Sequence, residues 1–120
     1  MVQREVAERF FAAPSTKAYG AVSVLIQLVA ERTGFHPVSR NVFRPRPNVD
    51  SAVVAFRRTG LPDDFAHVKR IVEAAFAHRR KKLANSLQLA GVDISGADIP
   101  DVRAEELTPL DFLELSRALR

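Results

Sequence analysis

The chain has no cysteine and no tryptophan, one methionine, one tyrosine and five glycines. Without cysteine, disulfides and thiolate metal ligands are excluded, and a reducing compartment is compatible with that. The glycines stand singly, so there is no glycine-rich phosphate loop. The longest apolar run, residues 21–30, contains Ser23 and Gln27 and is too short to span a bilayer. The opening residues 1–5 are charged, and no apolar stretch of the secretory kind follows them. His36, His67 and His78 share no metal-ligand spacing with a carboxylate and read as surface or packing residues. No Ser-His-Asp arrangement can be argued from spacing.

What is present starts with a usable core. The chain has 120 residues, of which 47% are hydrophobic and 27% charged, enough for one soluble domain or slightly more. The net charge of +4 is unevenly spread. From residue 91 onward Asp93, Asp98, Asp101, Glu105, Glu106, Asp111 and Glu114 outnumber Arg103, Arg117 and Arg120. The positive excess therefore lies upstream, in Arg40, Arg44, Arg46, Arg57 and Arg58 and in Arg79-Arg80-Lys81-Lys82. Two basic clusters on one chain are the footprint that a phosphate backbone selects.

The stretch Asn41 to Phe56 is the most distinctive. Two prolines one residue apart, Pro45 and Pro47, forbid a helix over Phe43–Pro47, because each fixes its own φ and turns the preceding residue away from the α region. The result is a stiff segment headed by Phe43, with Arg44 and Arg46 pointing outward between the prolines. Val49 to Phe56, with a buried-looking acid at Asp50, then reads as a mostly buried strand. A rigid loop offering an aromatic beside a sheet suits a flat ligand.

Around it, residues 3–12 predict a short amphipathic helix ended by Pro14. Tyr19 to Arg32 predicts a strongly apolar helix with Val22, Leu25, Ile26 and Val29 on one face, stopped by Gly34. Phe35 to Val38 predicts a short edge strand, since Pro37 lacks a donor. Thr59–Asp64 breaks the composition and reads as a linker. Beyond it the pattern is helical. A helix over 65–77 is capped by Asp63 or Asp64, Arg79 to Leu89 continues or restarts it, Arg103–Leu107 forms a turn, and Thr108-Pro109 starts a last helix. For residues 79–82 helical geometry puts Arg79 nearest the apolar seam of Phe76 and Leu83, where it should snorkel or meet an acid. Two strands cannot cover so apolar a helix, so the front half reads as the tail of a larger sheet.

Four blocks then follow in order: Met1 to Arg9; Tyr19-Gly20 with Ser23-Val24; Phe43, Pro45 and Pro47 with Val49-Asp50-Ser51-Ala52-Val53-Val54; and Ala75-Phe76 with Arg79-Arg80-Lys81, Leu83 and Asn85-Ser86-Leu87. Together they resemble the C-terminal portion of the small-subunit ribosomal RNA adenine N6,N6-dimethyltransferases. The resemblance implies an α/β fold, the C-terminal part of a Rossmann-like S-adenosylmethionine-dependent methyltransferase domain (residues 1–59), followed by a small all-α RNA-contacting domain (residues 60–120). It implies a cytoplasmic enzyme of ribosome biogenesis that dimethylates two adjacent adenines of the small-subunit rRNA, with the assembling small subunit as its partner and no membrane. By the same resemblance Phe43 stacks on the extruded adenine from a loop shaped by Pro45 and Pro47, Arg44 and Arg46 flank it near phosphates, and Arg79, Arg80, Lys81 and Lys82 contact RNA.

The family's glycine-rich cofactor loop, acidic ribose ligand and Asn-Leu-Pro-Tyr catalytic motif do not occur here. Ser39-Arg40 stands where a double proline is common, and Asn48 replaces a frequent lysine. The expectation is a C-terminal fragment that binds no cofactor and transfers no methyl group alone. Its unpaired strand edge should make it fold poorly or self-associate, although the full-length protein is expected to be a monomer. Two other readings stay open: a non-catalytic basic RNA-binding module, and a superfamily relative. That relative would be a large-subunit rRNA methylase of the macrolide-resistance type, which the Arg79–Leu87 block resembles less, or a mitochondrial transcription factor.

Overall fold

The computed structural model describes residues 1–120. In chain order it holds β1 (Val2–Gln3), α1 (Arg4–Phe10), α2 (Ala21–Val29), β2 (Ala30–Val38), β3 (Ser51–Arg58), α3 (Phe65–Ala77), α4 (Leu83–Leu89) and α5 (Pro109–Ala118). Two 3-10 turns, Arg40–Val42 and Ala104–Glu106, lie between them. The chain is elongated: its radius of gyration is 16.4 Å, against about 14 Å for a compact domain of this length.

The three strands form one antiparallel sheet in the order β1-β3-β2. β1 was not expected, because two residues carry no readable periodicity. It pairs Val2 with Ala52 and Gln3 with Ser51. β2 is longer than the Phe35–Val38 segment and takes over the end of the expected Tyr19–Arg32 helix. Ala30 is already extended at φ −154° and ψ 157°. Beyond it Glu31 forms a cross-strand ion pair with Arg57, and the Arg32 guanidinium sits 5.8 Å from the centre of the Phe35 ring. These contacts reward strand over helix. Gly34 therefore does not stop a helix; it lies beside the register shift after Arg32, a bulge within β2.

The apolar core sits on the helical side. It gathers Ala12, Tyr19 and Val24 with Val68, Ile71, Val72, Leu83, Leu87, Leu107, Phe112 and Leu115, among others. It thus crosses the 59/60 division. α2 presents Val24, with Ala21, Leu25 and Leu28 packed beside it. Val22, expected on the inner face, is 52% exposed. The buried hydrophobic residues outside this core are Ala7, Ala30 and Ala52, all small. The sheet accordingly lacks cover, and β3 is not the mostly buried strand that its apolar sequence suggested: Val53 and Phe56 are 42% and 55% exposed.

Beyond residue 60 every named element is helical. α3 starts after Asp64, which is left-handed at φ 58° and caps nothing with its side chain; its carboxylate lies 3.8 Å from the Arg120 guanidinium instead. α5 has the expected reciprocal cap, in which Asp111 N–H donates to Thr108 Oγ1 at 3.2 Å and Thr108 N–H donates to Asp111 Oδ2 at 3.0 Å.

Candidate nucleic-acid interface

The loop between β2 and β3 opens with Ser39, whose hydroxyl accepts the Asn41 N–H at 3.2 Å. One 3-10 turn follows, closed by Val42 N–H to Ser39 O and Phe43 N–H to Arg40 O at 3.2 and 3.4 Å. Phe43 itself is extended, φ −98° and ψ 149°, which starts the non-helical stretch that the prolines require. The Arg44–Pro45 peptide bond is cis. The Phe43 side chain is half-exposed and pairs with no other ring. Pro47 is half-exposed, and Arg44, Pro45 and Arg46 are exposed.

Arg46 does not point away from the loop as expected. Its Nη1 donates to Asn41 Oδ1 at 3.1 Å, closing the loop across its middle. Asp50, only partly buried with 36% of its side chain exposed, closes the base. Its Oδ1 accepts the Arg40 backbone N–H at 2.9 Å and Arg40 Nε at 3.4 Å. Arg40 Nη1 donates to Asn48 O at 2.8 Å, and the Asp50 carbonyl accepts the Arg4 N–H at the head of α1 at 2.9 Å. The Arg40 N–H bond, helped by the charges of Arg40 and Arg4, holds the Asp50 carboxyl below its ordinary value against some desolvation. Reading the sequence did not connect Arg40 with Asp50. Opposite charges flanking a proline-stiffened loop were the available signal.

The second basic cluster is not on a helix. α3 ends at Ala77 because Ser86 intervenes. Its buried Oγ lies 2.8 and 2.9 Å from the Ala74 and Ala75 carbonyls and accepts the His78 N–H at 3.1 Å. Residues 78–82 form a turn before α4. Arg79 nevertheless turns inward and meets an acid as expected, although from a turn and not from the helix on which that expectation rested. Its guanidinium lies 6.0 Å from the Phe76 ring centre, and Nη2 reaches Glu105 Oε2 at 3.3 Å and Thr16 O at 3.4 Å. Lys82 Nζ is 3.7 Å from Asp101 Oδ1. Arg80 and Lys81 are exposed, and neither lies within ion-pair distance of a carboxylate.

The structure thus divides the six cations singled out from sequence. Arg46, Arg79 and Lys82 are engaged within the chain, while Arg44, Arg80 and Lys81 extend to solvent. No hydrogen bond or ion pair joins the two clusters. A groove of about 310 Å³ beside the loop is lined by Arg4, Glu5, Glu8, Arg40, Asn48 and Asp50 among others, with both charge signs. The glycines form no cradle: a Cβ built on Gly60, Gly91 or Gly96 meets nothing within 4 Å.

The fold of this chain is shared with solved structures. A dimethyladenosine transferase from Plasmodium falciparum superposes with a TM-score of 0.75 at 21% identity, over 94% of this chain and 53% of that one. The 23S rRNA methyltransferase ErmE superposes with a TM-score of 0.57 at 24% identity, over 98% of this chain and 52% of that one. The class is therefore an α/β protein that shares its fold with about half of each of these structures. More narrowly, the chain belongs to the ribosomal RNA adenine dimethylase family, whose sequence pattern matches residues 1–117. It is 47% identical over 130 residues to the ribosomal RNA small subunit methyltransferase A of Rubrobacter xylanophilus, covering 99% of this chain and 48% of that protein. It is 48% identical over 126 residues to the protein of that name from Salinibacter ruber, covering 98% of this chain and 42% of that protein. The chain spans about half the length of the curated relatives it matches.

Proposed function

We propose that this chain supplies the substrate-side wall and the RNA grip of an rRNA adenine N6,N6-dimethyltransferase acting on two adjacent adenines of the small-subunit rRNA during ribosome assembly. The observation that carries this is Phe43: a half-exposed ring without an aromatic partner, at the head of a loop cross-linked at its middle and base. Stacking a base on such a ring contributes roughly 1–3 kcal/mol, and an extruded adenine has both faces free. Pro45 and Pro47 hold the loop extended, and Arg44 beside the ring suits a flanking phosphate. Arg80 and Lys81 suit the RNA backbone further along.

In this reading residues 1–59 complete the methyltransferase sheet and residues 60–120 form the helical RNA-contacting unit. S-adenosylmethionine is the methyl donor of the complete cytoplasmic enzyme. The residues of this chain do not fit that cofactor, since no cluster of glycines or acidic ribose ligand accompanies the loop, so methyl transfer is not ascribed to this chain alone.

The test is a hairpin from the 3′ end of small-subunit rRNA with 2-aminopurine at a target adenine. The chain should quench its fluorescence; Phe43→Ala should abolish the quench and weaken binding about 5- to 150-fold, while Phe43→Tyr keeps both. Equal quenching by Phe43→Ala refutes the stacking role. Quenching confined to a large-subunit hairpin would assign the chain to the other rRNA. The complete protein, assayed for methyl transfer to both RNAs, checks the activity.

A further inference from the structure

The prolines stiffen the Phe43 loop, but they do not set the direction in which it leaves the sheet. That direction depends on the cross-links at its base, and these converge on Asp50. One Asp50 oxygen accepts the Arg40 N–H at 2.9 Å, and the carbonyl of the same Arg40 accepts the N–H of Phe43 at 3.4 Å. A single peptide-length relay therefore runs from the carboxylate to the ring-bearing residue. The Asp50 carbonyl anchors the relay to α1 through the Arg4 N–H at 2.9 Å, and Arg40 Nη1 clamps the returning strand at Asn48 O at 2.8 Å. A carboxylate in a loop meant for RNA repels phosphate and would weaken binding unless it did something else. Its engagement by Arg40 supplies that something.

We propose that Asp50 is a positioning residue for the target base: by holding Arg40 at the start of the 3-10 turn it fixes the presentation of the Phe43 ring. This rests on the reading that Phe43 stacks on an adenine. Asp50 touches no base and contributes no binding contact, so its loss should impair stacking geometry more than affinity.

The experiment uses the 120-residue chain and the 2-aminopurine hairpin, reading the quench at saturation beside affinity from fluorescence anisotropy. Asp50→Ala should lower the saturating quench roughly threefold or more, in line with the sensitivity of stacked or reacting groups to small misplacements, while affinity changes less. Asp50→Asn, whose amide oxygen still accepts the Arg40 N–H, should restore most of the quench. Arg40→Ala combined with Asp50→Ala should be no worse than the more damaging single change, as expected of one coupled unit. A wild-type quench in Asp50→Ala, while Phe43→Ala abolishes it, overturns the inference and leaves the stacking reading standing. Undiminished quench in Phe43→Ala removes that reading and the inference with it. Parallel losses of quench and melting temperature in Asp50→Ala, without rescue by Asp50→Asn, would make Asp50 a stability residue only and also overturn it.

Discussion

Tyr19 offers the most direct perturbation of how the two halves of the chain hold together. Its hydroxyl donates to the Leu107 carbonyl at 2.7 Å, across 88 residues of sequence. The side chain is fully buried, and its ring meets Phe76 edge-on at 6.0 Å. Tyr19→Phe preserves the ring and removes one donor, leaving a buried carbonyl unpaired, which costs about 1–3 kcal/mol. With a melting shift of about 3–6 °C per kcal/mol at this chain length, a loss of about 2 kcal/mol lowers the midpoint by about 6–12 °C. Burial first, and the nearby Asp111 charge second, push the Tyr19 hydroxyl well above its ordinary value of 10.0. The fold therefore favours the neutral phenol. Its contribution is complete below pH 10 and erodes as the pH rises beyond it, so the stability gap between wild type and Tyr19→Phe should narrow there. Because the chain has one tyrosine and no tryptophan, tyrosinate absorbance reports this residue alone. It should appear with alkaline unfolding rather than before it. Tyrosinate forming near pH 10 in a chain that keeps its helical circular dichroism, or an unchanged melting point in Tyr19→Phe, would refute this account of the junction.

Three further expectations concern the core, the cations and the loop. Phe112, fully buried and 5.5 Å from the Phe76 ring, should cost about 3–5 kcal/mol as alanine, a large share of a total stability of about 5–15 kcal/mol; a denaturant midpoint equal to wild type would contradict the core described above. Replacing Arg80 and Lys81 together by alanine should flatten the salt dependence of RNA binding by about 1.4–1.8 in log–log slope, and an unchanged slope would exclude them as phosphate contacts. Asp50 titrates below its ordinary value of 3.8, so the charged part of its latch is complete above that pH and is lost as the pH falls through the lower folded value, while the carbonyl oxygen of its protonated carboxyl can still accept the Arg40 N–H. Fluorine NMR of a labelled Phe43 should show the loop unchanged through mildly acidic pH and loosening only below about pH 4; loosening at pH 6 would contradict it.

The helical half was legible because its signals are local. Thr108-Pro109 with Asp111 three residues on, the 3.6-residue spacing of Val68, Ile71, Val72 and Ala75, and Gly91 after α4 each act within a turn or two. The sheet was less legible because its partners are distant. Ala30 to Thr33 has no strong strand propensity of its own, and the extended form prevails only because β3 offers Arg57 to Glu31 and a full backbone ladder. β1 is a strand solely by virtue of Ala52 and Ser51. Burial followed the same logic. The apolar run in β3 carried the pattern of a covered strand, but its main neighbours are α1 and the flanking strands, so Val53 and Phe56 stay exposed.

For the interface, position in sequence located the clusters, but charge alone could not assign roles. Arg46, Arg79 and Lys82 pair with Asn41, Glu105 and Asp101, the last two drawn from the acidic C-terminal stretch. That stretch acts locally: Glu105 and Asp101 hold the flanks of the turn, so Arg80 and Lys81 are the two cations it leaves to solvent. The pairing is weak energetically, since exposed ion pairs contribute about 0–1 kcal/mol. Its effect is on direction, because an arginine held by Glu105 and Thr16 stays over Phe76 while its neighbours are turned outward. The same division operates in the loop, where Arg40 and Arg46 close the frame and Arg44 remains beside Phe43. On the proposed reading, the frame-building cations would alter how a base is presented, and the outward ones would alter how strongly the RNA backbone is held.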